Sequence, residues 1–110
     1  MPGAKFILDP CVEDELWEIW KFIAVDNPEA ATRVVEAAYK TFATLALTPG
    51  FGRPRKSRDP CLKGIRSWSI SGFDSYLIFY RGAAEGVQVM HAYHASRNID
   101  ALFERTTAGR

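Results

Sequence analysis

GIRSWSISGFDSYLIFYRGAAEGVQVMHAYHASR, residues Gly64 to Arg97, holds three β-type runs close together and ends in a histidine and an arginine. At its centre Tyr76, Leu77, Ile78, Phe79 and Tyr80 form an apolar run without polar alternation, the pattern of a strand covered on both faces. Before it, Gly64 to Ile70 carries strand-favouring Ile and Trp, and Ser71, Gly72, Phe73 and Asp74 read as a turn, so the two runs make a hairpin. After it, Gly82 to Gly86 reads as a second turn. In Val87 to His94, the face of Val87, Val89, His91 and Tyr93 alternates with that of Gln88, Met90, Ala92 and His94, which places His91 facing the core or half-buried. The spacing predicts a three-strand antiparallel meander. Polar and basic groups gathered at its end suit a small protein that acts on a macromolecule.

The amino-terminal half follows a helical period. Lys5 to Leu8 is a short strand candidate, and Asp9 followed by Pro10 gives the N-cap and first-position signal of a helix, with Glu13, Asp14 and Glu15 near its positive end. Val12, Leu16, Ile19, Trp20 and Ile23 share one face of that helix, which stops at Asp26. Asn27 and Pro28 repeat the signal. A second stripe of Ala31, Val34, Val35, Ala38, Phe42 and Leu45 then runs to Thr48, Pro49 and Gly50. A connection this short makes the two helices an antiparallel hairpin. Ser96 or Asn98 caps a short carboxy-terminal helix in which Ile99, Leu102 and Phe103 share a face. The class is α+β: a strand, a helical hairpin packed on a small antiparallel sheet, and a short final helix.

At 110 residues and 47% hydrophobic, the chain fits one domain over residues 1–110, with a core that needs neither disulfides nor metal. No apolar run approaches the roughly 20 residues that span a bilayer, and the opening MPGAKF lacks the apolar region of a secretory signal, so a cytoplasmic protein is expected. Cys11 and Cys61 have no metal-type spacing and read as small, partly buried residues; no cofactor or metal is expected.

Charge is unevenly spread. Residues 1–50 carry 8 acids and 4 bases, whereas residues 51–110 carry 5 acids and 10 bases, which makes the sheet half the basic half. The densest cluster is the loop and strand with Arg53, Arg55, Lys56, Arg58, Lys63 and Arg66, opposed only by Asp59. Such a loop meets a polyanion, or its arginines pair with the acidic first helix; both readings stand at this point. Glu13, Glu15 and Glu18 read as solvated surface. Trp20 fits the core stripe, whereas Trp17 lies off it and Trp68 shares a strand face with Arg66 and Ile70, so Trp17 and Trp68 are candidates for an interface.

The run IWKFIAVDNPEAATRVVEAAYKTFATLALTPGFGRPR, followed by GIRSW, YLIFYR and the HASRN corner, resembles the ParE branch of the ParE/RelE superfamily of bacterial toxins from type II toxin-antitoxin modules. The resemblance spans about Asp9 to Phe103. It rests on the order of DNPEAA, LTPGFGRPR, Gly64-x-Arg66-Ser67 and Ile78-Phe79-Tyr80-Arg81. It implies a helical hairpin on an antiparallel sheet, a role in plasmid stabilisation, and a cognate antitoxin of ribbon-helix-helix type whose carboxy-terminal segment wraps the toxin. DNA is met only through that antitoxin, and no membrane is involved.

The superfamily divides by target. RelE-like members cut messenger RNA on the ribosome, which requires groups that activate a ribose 2′-hydroxyl, protonate the leaving oxygen and neutralise the phosphorane. Arg66, His94 and Arg97 are the candidates for that chemistry. The chain has Tyr76 and Leu77 where RelE-like nucleases often place an arginine in the central strand, and it has no tyrosine after Tyr93. ParE-like members lack the catalytic set, and the resemblance implies inhibition of DNA gyrase by protein contact. In that case Trp17, Trp68, Arg53, Arg55, Lys56, Arg58 and Arg81 are contact candidates, and strand-end arginines hold loop carbonyls or pair with Asp74 or Asp100. A third reading is a decayed toxin that serves only as antitoxin partner in autorepression. An apolar groove along the hairpin or the sheet edge is expected as the docking surface.

Overall fold

The computed structural model describes residues 5–55 and 63–97. Its elements are β1 (Lys5–Leu8), α1 (Pro10–Ala24), α2 (Pro28–Leu47), a 3-10 turn (Pro49–Phe51), β2 (Arg53–Pro54), β3 (Arg66–Ile70), β4 (Phe73–Ala83) and β5 (Gly86–His94). Both helices begin with proline, which fixes φ where no intrahelical N–H bond is needed. Asn27 caps α2 by accepting from the Ala30 amide at 3.1 Å. Asp9 sits at the N-cap of α1 without a capping bond, because its Oδ1 instead accepts from Gln88 Nε2 on β5 at 2.7 Å.

The predicted meander of β3, β4 and β5 forms the middle of a larger sheet. Five strands run in the order β1-β5-β4-β3-β2, with β1 parallel to β5 and the other pairs antiparallel. The expected three-strand sheet is thus extended at both edges, on one side by the amino-terminal strand and on the other by two residues of the basic loop. The expected carboxy-terminal helix at Ile99 to Phe103 lies outside the described residues. The first turn is tighter than expected: Phe73 and Asp74 belong to β4, and Ser71-Gly72 closes the hairpin with Gly72 at φ +84°, which glycine adopts without a steric cost. At the other end of β4, Gly86 pairs with Lys5, and a Cβ there would collide with the Lys5 carbonyl oxygen, so glycine is what lets β1 dock on β5.

The hairpin covers one face of the sheet. Val12, Leu16 and Ile19 of α1 and Val34, Ala38, Phe42 and Leu45 of α2 bury against Ile70, Ile78, Tyr80, Val87, Val89 and Ala92. The other face carries a second cluster of Ile65, Phe79 and Tyr93, with Leu77 and Met90 packed on it. β4 therefore alternates between two buried faces, as its unbroken apolar run requires. Trp20 departs from its expected place in the core: it is half-buried at the flank, stacked on Trp17 at 5.2 Å, with Nε1 donating to Thr32. Among the described residues no helix is long and apolar enough to cross a membrane.

A bulge decides the orientation of the last strand. The register of β4 against β5 shifts between Phe79 and Tyr80, whose partners are His91 and Val89, leaving Met90 unpaired. Beyond it the alternation changes phase, so Ala92 takes the helix side with Val87 and Val89. His91 is buried, as expected, but its ring stacks on Tyr93 at 4.8 Å instead of sharing the face of Val89.

Candidate functional site

β1 ends at Leu8, yet β5 continues to His94, so the last residues of β5 have no strand on that side. α1 fills the place. The Asp9 amide donates to the Val89 carbonyl at 2.9 Å, Cys11 Sγ donates to the Met90 carbonyl at 3.2 Å, and Glu15 Oε1 accepts from the Ala92 amide at 2.9 Å. Polar atoms of the helix's first turns thus satisfy backbone groups that a sixth strand would otherwise pair. The remaining oxygen of Glu15 lies 2.8 Å from His91 Nδ1, and the Tyr93 hydroxyl is also 2.8 Å from that nitrogen. Glu15 is not the solvated residue expected from the sequence, since only 18% of its side chain is exposed. Burial, reinforced by the Glu15 and Asp9 carboxylates, pushes the Cys11 thiol up to about 11. The same burial and the same carboxylate raise Tyr93 well above the ordinary phenol range. In this pocket both groups are held neutral.

Next to this cluster opens a cavity of about 440 Å³ between α1 and the end of the sheet, lined by Glu18, Phe22, Tyr76, His94, Ser96 and Arg97 among others. His94 packs edge-on against Tyr76, and its Nδ1 engages the Ser96 hydroxyl at 2.7 Å and the Ser96 amide at 3.0 Å, which closes the turn after β5. The Arg97 guanidinium lies over the Tyr93 ring at 5.7 Å.

Arg66 is elsewhere. It pairs with Tyr80 across β3 and β4, whereas His94 pairs with Tyr76, so the two sites are four residues apart on β4 and two strands apart across the sheet. That is about 13 Å along the strands and roughly 10 Å across them. Arg66 Nη1 donates to the Gly52 carbonyl at 2.7 Å. The buried Tyr80 hydroxyl completes this corner by accepting from the Gly52 amide and donating to the Pro49 carbonyl, each at 2.7 Å. The three residues considered for acid–base work are thus split: His94 and Arg97 come together, and Arg66 braces the exit from α2.

The contact candidates separate in the same way. Arg81 Nε donates to Gln88 Oε1 at 3.1 Å, and Gln88 in turn donates to Asp9, so this strand-end arginine ties β4 to β5 and to the start of α1, with Gln88 in place of the expected Asp74; Asp100 lies outside the described residues. The Arg55 guanidinium lies over Phe79 at 5.3 Å, on the sheet face away from the helices, and Arg53 is exposed. Lys56 and Arg58 lie outside the described residues. Trp17 is 54% exposed and lines a groove between the helices with Trp20, Leu16, Val35 and Tyr39. The Trp68 ring lies tilted against Phe51 with centroids 5.7 Å apart, beside a second groove between α2 and β3. Phe22, 75% exposed, adds apolar surface that the sequence reading did not single out; its position between Ile19 and Ile23 hides it among core residues.

The sequence model of the family described as "ParE toxin of type II toxin-antitoxin system, parDE" matches residues 6–99. No curated protein gives a significant match to the chain. Among solved structures, one titled "Chromosomal ParDE TA system from P. aeruginosa" superposes with a TM-score of 0.66 at 16% identity, covering 84% of this chain and 97% of that one. At that identity the likeness is one of fold.

Proposed function

Because this chain belongs to the ParE toxin family of type II toxin-antitoxin systems, we propose that it arrests growth in the cytoplasm by protein contact with DNA gyrase, and that a ribbon-helix-helix antitoxin holds it inactive. The observation that carries this reading is the division of the titratable groups. Cleavage of RNA needs an acid, a base and a cation around one phosphate, and Arg66 is bonded to the Gly52 carbonyl at the opposite corner from His94 and Arg97. Exposed aromatic and apolar side chains are instead plentiful, with Trp17, Phe22, Phe51 and Trp68 all solvent-facing. Surfaces of this kind anchor protein partners. The groove holding Trp17 and Trp20 lies between the two helices, where an antitoxin helix would dock as a third.

A ribosome-dependent endoribonuclease is the second reading, favoured by the placement of His94, Arg97 and Tyr76 around one cavity. The two readings separate in cells. Under gyrase inhibition, His94→Ala and Arg97→Ala still arrest growth when expressed without antitoxin, and arrest is accompanied by a DNA-damage response. A His94→Ala variant that folds and binds antitoxin but no longer arrests growth overturns the proposal in favour of RNA cleavage.

A further inference from the structure

Cys11, Glu15 and His91 place a sulfur, a carboxylate oxygen and an imidazole nitrogen all within 4.8 Å of one another. Cys11 and Glu15 are four residues apart on α1, so they stand one above the other on the same helical face, and His91 meets them from β5. His91 Nδ1 lies 3.7 Å from Cys11 Sγ, 2.8 Å from Glu15 Oε2 and 2.8 Å from the Tyr93 hydroxyl. The thiol also donates to the Met90 carbonyl, and the carboxylate accepts from the Ala92 amide and meets the Tyr93 hydroxyl, so neighbouring groups hold these ligand atoms in place around the imidazole. Groups of three chemistries drawn around a common centre are the arrangement of a coordination shell.

We propose that Cys11, Glu15 and His91 form a mononuclear transition-metal site that takes zinc, with the Tyr93 hydroxyl or a water at the fourth position. Zinc accepts sulfur, nitrogen and oxygen ligands together in tetrahedral geometry, and a thiolate beside an imidazole disfavours magnesium and calcium. Charge favours the ion as well. A thiolate and a carboxylate neutralise a dication, which suits a site where the His91 and Glu15 side chains are only 6% and 18% exposed. The ligand oxygen is already oriented, because the Ala92 amide holds Oε1 and leaves Oε2 facing the imidazole. Half-buried Cys11 leaves a path for the ion.

Loading exchanges one proton for one bond: the Cys11 S–H breaks, its proton goes to solvent, and the sulfur pair binds the metal. His91 ligates through Nδ1, so a hydrogen that Nδ1 directs at Glu15 in the metal-free site passes to solvent and the ring takes its hydrogen on Nε2 instead. Because the thiol proton leaves as the ion binds, uptake strengthens as pH rises. The sequence concealed the site because His91 lies 76 residues from Glu15 and 80 from Cys11, on a different element. The site stands independently of the target proposed above.

The test uses untagged, full-length, antitoxin-free protein stripped with chelator, titrated with zinc against a chromophoric competitor and with cobalt by absorption spectroscopy. The expected result is one ion per chain, a raised melting temperature and a thiolate-to-cobalt charge-transfer band. Cys11→Ser, whose hydroxyl can still donate to the Met90 carbonyl, abolishes the band and weakens zinc about tenfold or more, whereas Cys61→Ser changes neither. Absence of stoichiometric binding, a band that survives Cys11→Ser, or one that disappears in Cys61→Ser overturns the proposal. X-ray absorption of the zinc-loaded wild type decides the matter even where a variant fails to fold: one sulfur with an imidazole supports the site, and a shell of oxygens alone refutes it.

Discussion

Replacement of Glu15 by alanine tests whether α1 closes the open side of β5. Ala92 is 1% exposed, and β1 stops at Leu8, so its amide has the Glu15 carboxylate as its acceptor. Glu15→Ala leaves that amide buried without a partner, and it also removes an oxygen facing His91 and Tyr93. A stranded buried donor costs about 1–3 kcal/mol, and bonds to a charged group are worth about 1.5–3 kcal/mol. The total for Glu15→Ala is about 3 kcal/mol, a large part of the roughly 5–15 kcal/mol that holds a domain together. At about 4 °C per kcal/mol for a domain near this size, the melting temperature falls by about 12 °C. Glu15→Gln keeps a carbonyl for the Ala92 amide and loses about 1 kcal/mol, or about 4 °C. Thermal and urea denaturation of the antitoxin-free protein, followed by circular dichroism in the presence of chelator, reads both values. An alanine variant that melts within about 2 °C of the wild type refutes the reasoning.

Four further outcomes follow from the structure. Gly86→Ala forces the Lys5 carbonyl away from β5 and so detaches β1; the hydrogen-exchange protection of residues 5–8 falls while that of β3 and β4 persists. With its thiol at about 11 against an ordinary 9.0, Cys11 in a chelator-stripped Cys61→Ser background reacts with iodoacetamide at pH 8 roughly a hundredfold more slowly than a free thiol. Because the folded chain retains a proton that the unfolded thiol releases, stability falls as pH rises from about 9 to about 11, and is unaffected by this group below that window. Trp17→Ala removes a side chain that is 54% exposed and stacked on Trp20, so the melting temperature changes little, while antitoxin affinity measured by calorimetry weakens by about tenfold or more.

The helices were legible because their signals are local. Proline after Asp9 and after Asn27 marks both starts, and the spacing of Val12, Leu16 and Ile19 marks the buried face. The central strand was legible because an unbroken apolar run requires two covers, and both the helical hairpin and the Phe79 cluster supply them. What the sequence hid is non-local. The parallel pairing of β1 with β5 joins residues about 80 positions apart, and β2, at two residues, carries no periodic signal. One unpaired residue, Met90, changes the phase of β5 and takes His91 and Tyr93 off the face of Val87 and Val89. Glu15 reads as surface because it is a carboxylate at the edge of the apolar stripe, three residues after Val12 and four before Ile19; its role appears only once β1 is known to stop short of Ala92. In Arg66 and Arg81 the residue type was informative and the partner was not, since Gly52 and Gln88 are brought near by tertiary packing alone.

A gyrase assay with purified, antitoxin-free protein tests the functional account most directly. Relaxed plasmid, gyrase and ATP are incubated with increasing amounts of the chain, and supercoiled and cleaved DNA are resolved on a gel. The account predicts loss of supercoiling and accumulation of cleaved plasmid, unchanged in His94→Ala and Arg97→Ala. Undisturbed supercoiling at concentrations that arrest growth, together with cleavage of messenger RNA on ribosomes by the wild type and not by His94→Ala, contradicts it.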